Sequence, residues 1–161
     1  MLVVVSDTSP IRALAHLDHL SVLEDLFDRV LAPPAVEREL RAPPARLSVV
    51  RLEEFPFVHV QAPEDGAKVQ ELLETLDLGE SEALALAVET QASAILIDEA
   101  AGRARATELG LTVIGTLGVL LRCKTRGRIA SIKPLLDRLE DELSFYISPA
   151  LRQDVLRRAG E

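Results

Sequence analysis

Leu2–Pro10 reads LVVVSDTSP, and its reading decides the fold. Leu2–Val5 is short, apolar and β-branched, which marks a buried strand rather than the start of a helix. Pro10 suits the first turn of a helix, where its missing N–H would have no partner anyway. Ser9 is placed to cap that helix through its hydroxyl. Asp7 is then a carboxylate at the C-terminal end of a buried strand, with no capping duty.

The same alternation continues along the chain. The pattern predicts helices over 10–17, with Asp18 capping a second over 19–27, a short strand over 30–32, and a helix from Pro34 through Leu40. APPARLS at 42–48 is a loop, and 57–61 alternates like an edge strand. Helices are expected over 64–76 and 80–90, a strand over 94–97, a helix over 99–109 and a strand over 112–114. Helices near 117–125, 133–143 and 150–159 close the chain. Strands alternating with helices predict a three-layer α/β sandwich, a central parallel sheet flanked by helices. No repeat, low-complexity stretch or long linker interrupts it, so residues 1–161 form one domain, with the last helix as a C-terminal addition.

Length and composition agree. The 161 residues suffice for one full core, and 48% hydrophobic against 3% aromatic content makes that core Leu, Val, Ala and Ile. The single cysteine, Cys123, excludes an intramolecular disulfide, and a reducing cytoplasm is the simplest setting. No apolar run approaches a membrane span, and no basic stretch precedes the first strand as in a signal peptide. The net charge of −8 argues against a protein that coats nucleic acid. Its distribution is uneven: residues 1–100 carry 19 acids and 7 bases, whereas residues 101–133 carry 7 bases and one acid. A chain so divided is suited to repel a polyanion broadly and grip it at one place; solvated helix faces account for the block equally well.

In open α/β sheets the ligand crevice lies outside the carboxyl ends of the strands. Asp7, Asp98 and Thr116 all follow strands and are expected along that edge. In PPAVEREL, Glu39 falls about 60° from Val36 on a helical wheel, inside the apolar sector, whereas Glu37 lies on the wet side. DLGESEALALAV is apolar almost all round and reads as a buried central helix. Asp77 and Glu80 fit a capping box at its start, which leaves Glu82 as the acid without a structural explanation. Asp7, Glu39, Glu82 and Asp98 thus form a candidate cluster. Four like charges in one cleft make sense only around cations, and oxygen-only ligands favour Mg²⁺ or Mn²⁺ over zinc. Cys123 stands alone, and His16 and His19 lack an obvious third ligand.

VVVSDTSP, AVEREL, LGESEALALA, ILIDEAAGR and VIGTLGVLLRCKTRGRI, in that order, resemble a PIN domain. The closing FYISPALRQDVLRRAGE is similar to the C-terminus of the bacterial and archaeal subgroup related to VapC toxins, so the likeness spans nearly the whole chain. The resemblance implies a Mg²⁺- or Mn²⁺-dependent nuclease, most often a ribonuclease, with Asp7, Glu39, Glu82 and Asp98 as its metal-holding catalytic acids. Many relatives have Asp where this chain has Glu82, and Glu99 beside Asp98 leaves the register of the fourth acid open between the two. Thr8, Ser9 and Thr116 are expected against the RNA substrate. Arg103, Arg122, Lys124, Arg126 and Arg128 are candidates for its phosphates. Toxin-type relatives pair with a small antitoxin and commonly form homodimers; Leu14, Leu17, Leu20 and Leu23 would serve such contacts or the core.

Two phosphotransfer readings fit less well. A receiver domain needs a Lys after its last strand, where this chain has Thr116. A haloacid-dehalogenase-type phosphatase needs an Asp two residues beyond the nucleophile, where Ser9 stands. A non-catalytic PIN-like module that binds RNA or protein is the alternative, though a pure binder has no reason to bear the electrostatic cost of the acids.

Overall fold

A computed structural model describes residues Met1–Glu161. Strand β1 (Val3–Ser6) leads into α1 (Thr8–His16) and α2 (Val22–Leu26), then β2 (Arg29–Ala32) and α3 (Pro34–Arg41). A single 3₁₀ turn at Leu52–Glu54 precedes β3 (Val58–Val60), α4 (Gly66–Leu72) and α5 (Leu78–Glu89). The remainder is β4 (Ala94–Leu96), α6 (Ala100–Glu108), β5 (Val113–Ile114), α7 (Thr116–Thr125), α8 (Lys133–Leu143) and α9 (Pro149–Arg158).

All five strands are parallel, in the order β3-β2-β1-β4-β5. β1 lies at the centre, with Val4 beside Val30 on one flank and Ala94 on the other. Successive side chains of a strand face opposite ways, and the two cores follow from that. Val4, Val30 and Ala94 pack with Leu14 of α1, Leu40 of α3, Leu120 of α7 and Leu136 of α8. Val5, Leu31 and Ile95 pack on the other face with Leu72 of α4, Leu84 of α5 and Ala106 of α6. The result is the expected three-layer sandwich, and both faces of the sheet are covered. α5 is buried nearly all round, as its sequence indicated. No helix is long and apolar enough to cross a membrane.

Three local expectations are corrected. α1 starts at Thr8, not Pro10, so Asp7 rather than Ser9 stands at the cap position, although its side chain makes no capping hydrogen bond. Asp18 adopts φ 60°, in the left-handed region, and turns the chain instead of capping a helix. The second helix is therefore delayed to Val22. Leu14, Leu17, Leu20 and Leu23 are each at most 2% exposed, so they belong to the core and offer no partner surface.

Candidate active site

The chain leaves β1 toward β2 and β3 on one side, then returns to place β4 and β5 on the other. The crevice between β1 and β4 is thus the topological switch point, where open α/β sheets bind ligands. Asp7 follows β1 and Asp98 follows β4. The Asp7 backbone N–H still donates to Leu96 O at 2.9 Å, so the two strand ends are tied together there.

Thr8 and Ser9 sort the acids around this crevice. Thr8 Oγ1 donates to Glu39 Oε2 at 2.5 Å, and Ser9 Oγ donates to Asp98 Oδ2 at 2.9 Å. Asp98 also accepts from the Thr116 amide at 2.8 Å and from Thr116 Oγ1 at 2.7 Å. Three donors therefore hold Asp98 at the N-terminus of α7, where the helix dipole favours a negative charge. The three hydroxyls expected to meet substrate each donate to a carboxylate here, and Thr116 is wholly buried.

Asp7 has no such support. It is 5% exposed, and its carboxyl is pushed up to about 7, first by burial and then by the negative charges of Glu80, Asp77 and Glu39; the Thr8 backbone N–H pulls the other way. Glu80 is 8% exposed, and burial raises its carboxyl too, with Asp77, Glu99 and Glu39 adding repulsion. Glu39 rests against the first turn of α5, so close that a Cβ on Gly79 would stand 2.7 Å from its Oε1. Below it, Arg12 Nη2 reaches the Glu39 carbonyl at 3.4 Å, while its Nη1 is buried without a partner.

Glu82, the other predicted acid, is engaged with the start of α3, one turn before Glu39. Its Oε1 accepts from the Ala35 N–H at 3.0 Å, satisfying a free amide at the start of α3. Residues two apart on a helix point roughly 200° away from each other, so Glu80 and Glu82 face different neighbours. Half of the proposed capping box exists, since Asp77 Oδ1 accepts from the Glu80 N–H at 2.8 Å. The Glu80 side chain, however, lies toward α6, with its Cδ 3.7 Å from where a Gly102 Cβ would be. The sequence assigned Glu80 to the reciprocal half of that box, and α5, apolar on every side, offers no wet face by which to orient its acids otherwise. Asp77 and Arg12 were missed as well.

A family model, DUF3368, described as a PIN domain, matches residues 3–161. The chain belongs to the PIN-domain family. No curated protein sequence matches it. PIN domains are typically nucleases, and the five-stranded parallel sheet between helices is consistent with that fold.

The chemistry of this PIN domain's acids fits a hard divalent cation. Every candidate ligand is a carboxylate oxygen. Asp7 and Glu80 are buried beside further acids, and no ion pair neutralises either of them. No three acidic, histidine or cysteine side chains stand close enough to enclose an ion unaided.

Proposed function

We propose that this PIN domain is a Mg²⁺- or Mn²⁺-dependent endoribonuclease. The observation that carries the reading is Asp7: a carboxylate at the sheet's switch point, buried, surrounded by acids and raised to about 7 in the absence of a counter-charge. Asp7, Glu39 and Asp98 would hold the ion largely through its own waters, since no three acids stand close enough to enclose it, with Glu80 taking the place first expected of Glu82. Glu99, exposed at the start of α6, extends the acidic rim.

The bound cation would orient and activate water for attack on a phosphodiester and neutralise the charge that develops. The protein's share is preorganisation. Thr8 sets Glu39, while Ser9 and Thr116 set Asp98. Burial keeps Asp7 and Glu80 out of bulk water, which strengthens their attraction for an ion.

The finer placement, a VapC-like toxin that works as a homodimer and is restrained by a small antitoxin, rests on the likeness of the closing segment to that subgroup. A protein restrained in this way would arrest growth when expressed alone and cease to do so when co-expressed with its neutraliser. Chemistry comes first. End-labelled single-stranded RNA is incubated with Mn²⁺, Mg²⁺ or EDTA, using wild type and Asp7→Asn. Metal-dependent internal cutting that disappears in the variant supports the reading. Equal cutting by both proteins rejects it, and metal binding without cutting favours the non-catalytic module.

A further inference from the structure

The acidic crevice opens at its Asp98 end into a cavity of about 820 Å³ between α6, α7 and the segment that enters α9. Ser9 and Asp98 line the near end; Arg103 and Arg122 line the sides; Tyr146 and Leu151 stand on the far wall. Two observations suggest what this cavity takes.

The first is which bases are free. Most of the basic block is occupied by the protein itself. Lys124 bonds Ala130 O and Glu161; Arg128 pairs with Asp25 at 3.3 Å; Arg126 donates to the Asp25 carbonyl; and Arg105 pairs with Glu71 and Glu108. Arg103 and Arg122 have no acidic partner. Each donates only to a backbone carbonyl, Ile97 O at 3.2 Å and Gly118 O at 3.1 Å respectively. Both line the cavity that begins at Asp98. Arg158, also on the wall, is compensated by Asp154 at 2.9 Å.

The second is Tyr146. It is 83% exposed, more than any other large apolar side chain except Met1. Its position follows from local backbone: Ser144 ends α8 in the left-handed region at φ 52°, and Ser148, whose hydroxyl accepts from the Leu151 N–H at 3.2 Å, restarts the chain as α9. The short bridge between the two helices holds the ring at the cavity wall. An exposed aromatic ring beside unpaired guanidinium groups is the usual means of holding an unpaired base and its flanking phosphates.

We infer that this cavity is the binding groove for a single-stranded RNA segment: Tyr146 stacks on one unpaired base, and Arg103 and Arg122 hold the phosphates that lead the strand to the acids. This rests on the nuclease reading and adds to it a substrate form and a direction of approach. It also gives α9 and its connecting segment a task, as a wall of the groove.

Tyr146 is the only tyrosine and the chain has no tryptophan, so its own emission reports on stacking. A short single-stranded RNA is titrated into the protein in EDTA at low salt, and Mn²⁺-dependent cleavage is followed separately. The single strand is expected to quench Tyr146, and the same RNA as a duplex to leave it bright. Tyr146→Ala should weaken binding about tenfold, as loss of one stacked base does, and raise KM with kcat retained at saturation. Tyr146→Phe should bind normally by anisotropy of labelled RNA. Arg103→Gln combined with Arg122→Gln should reduce the slope of log affinity against log salt by about 1.4, the share of two phosphates on a single strand. Unquenched emission while Mn²⁺-dependent cleavage proceeds overturns the groove and leaves the nuclease reading standing. Equal quenching by duplex, or normal KM in Tyr146→Ala, overturns it too. Quenching without any cleavage supports the groove and rejects the nuclease.

Discussion

Asp7 and Asp98 end neighbouring strands of one sheet, yet their surroundings are opposite. Asp98 accepts three hydrogen bonds, from Ser9 and twice from Thr116, at the start of a helix. Asp7 is more deeply buried, has acids for neighbours and is raised to about 7. One carboxylate is satisfied by the fold; the other is left with a deficit that something outside the chain must fill. The contrast separates what organises the site from what the site is built to attract.

Neutralising each acid should therefore move stability in opposite directions. Asp7→Asn is expected to reduce metal-dependent RNA cleavage by at least about 100-fold, as loss of a metal-holding carboxylate does. In metal-free buffer at pH 8 the same change should stabilise the fold. A shift from 3.8 to about 7 corresponds to a penalty on the order of 4 kcal/mol for keeping the group ionised. Urea unfolding of the two proteins measures it. A destabilised Asp7→Asn would show that Asp7 is structural and close the contrast.

The acids of α5 offer the next largest effect. Glu80→Gln should reduce cleavage by about tenfold to 100-fold, since Glu80 belongs to the buried acidic group. Glu82→Gln should leave it within about twofold, because the amide oxygen can still accept from Ala35 N–H. Initial rates at saturating Mn²⁺ decide between them, and a reversed order would return Glu82 to the site.

The legibility of these features in the sequence follows the same division. The strand–helix alternation made the sheet readable, because β1, β2 and β4 are near-continuous apolar runs between polar turns. Asp7 and Asp98 were readable because strand ends are few and polar residues there stand out. The helical wheel misjudged α3: Glu39, expected inside the apolar sector, is exposed, and Glu37, expected on the wet side, is half-buried; the Glu39 carboxylate nevertheless reaches back to accept from Thr8 Oγ1. On α5, burial on all sides leaves no wet face to orient the acids, and the preference for Glu82 rested on the capping box that accounted for Glu80. The start of α1 was misplaced because Pro10 and Ser9 are good first-turn residues in general. Here Ser9 is needed for Asp98, and Pro10 is tolerated as the third helical residue, among the first positions whose N–H groups have no partner. Arg103 and Arg122 were named among five candidate bases, but that they alone stay free was not readable, since the partners of the others, Asp25 and Glu161, come from distant parts of the chain.

Asp98→Asn tests the organised half of the contrast. An amide presents only one acceptor oxygen, so the three donors can no longer all be matched without reorientation. A loss of about 1–3 kcal/mol is expected. Chemical denaturation in EDTA reads it, free of any metal effect. Unchanged stability would mean that the hydroxyls of Ser9 and Thr116 simply turn to accept from the new amide.

The pH dependence follows from Asp7. Its folded-state carboxyl titrates near 7 and its unfolded one near 3.8, so between those values the native protein binds the additional proton. Stability without metal must then decline as pH rises through that window, by up to about 1.4 kcal/mol per pH unit from this group. Asp7→Asn should remove that share of the slope. Mn²⁺ should oppose it at the upper end, where the proton no longer competes for the carboxylate. Thermal melts from pH 4 to 8, with and without Mn²⁺, test the sign; a rise in metal-free stability across the window would contradict the burial of Asp7.

Gly79→Ala is the smallest change and the most local. An alanine in the first turn of α5 should favour the helix by up to about 1 kcal/mol over glycine, so the fold is not expected to suffer. Its Cβ, however, would stand 2.7 Å from Glu39 Oε1 and 3.3 Å from Glu39 Cδ. Glu39 is the far end of a flexible side chain and can swing away, but only by stretching or breaking its bond from Thr8 Oγ1. The expected variant is as stable as wild type or more so, with Mn²⁺ affinity several-fold weaker by calorimetry. Equal affinity would show that Glu39 contributes negative potential to the crevice rather than a defined position, and the contrast between organised and waiting acids would then run between Asp98 and all the others.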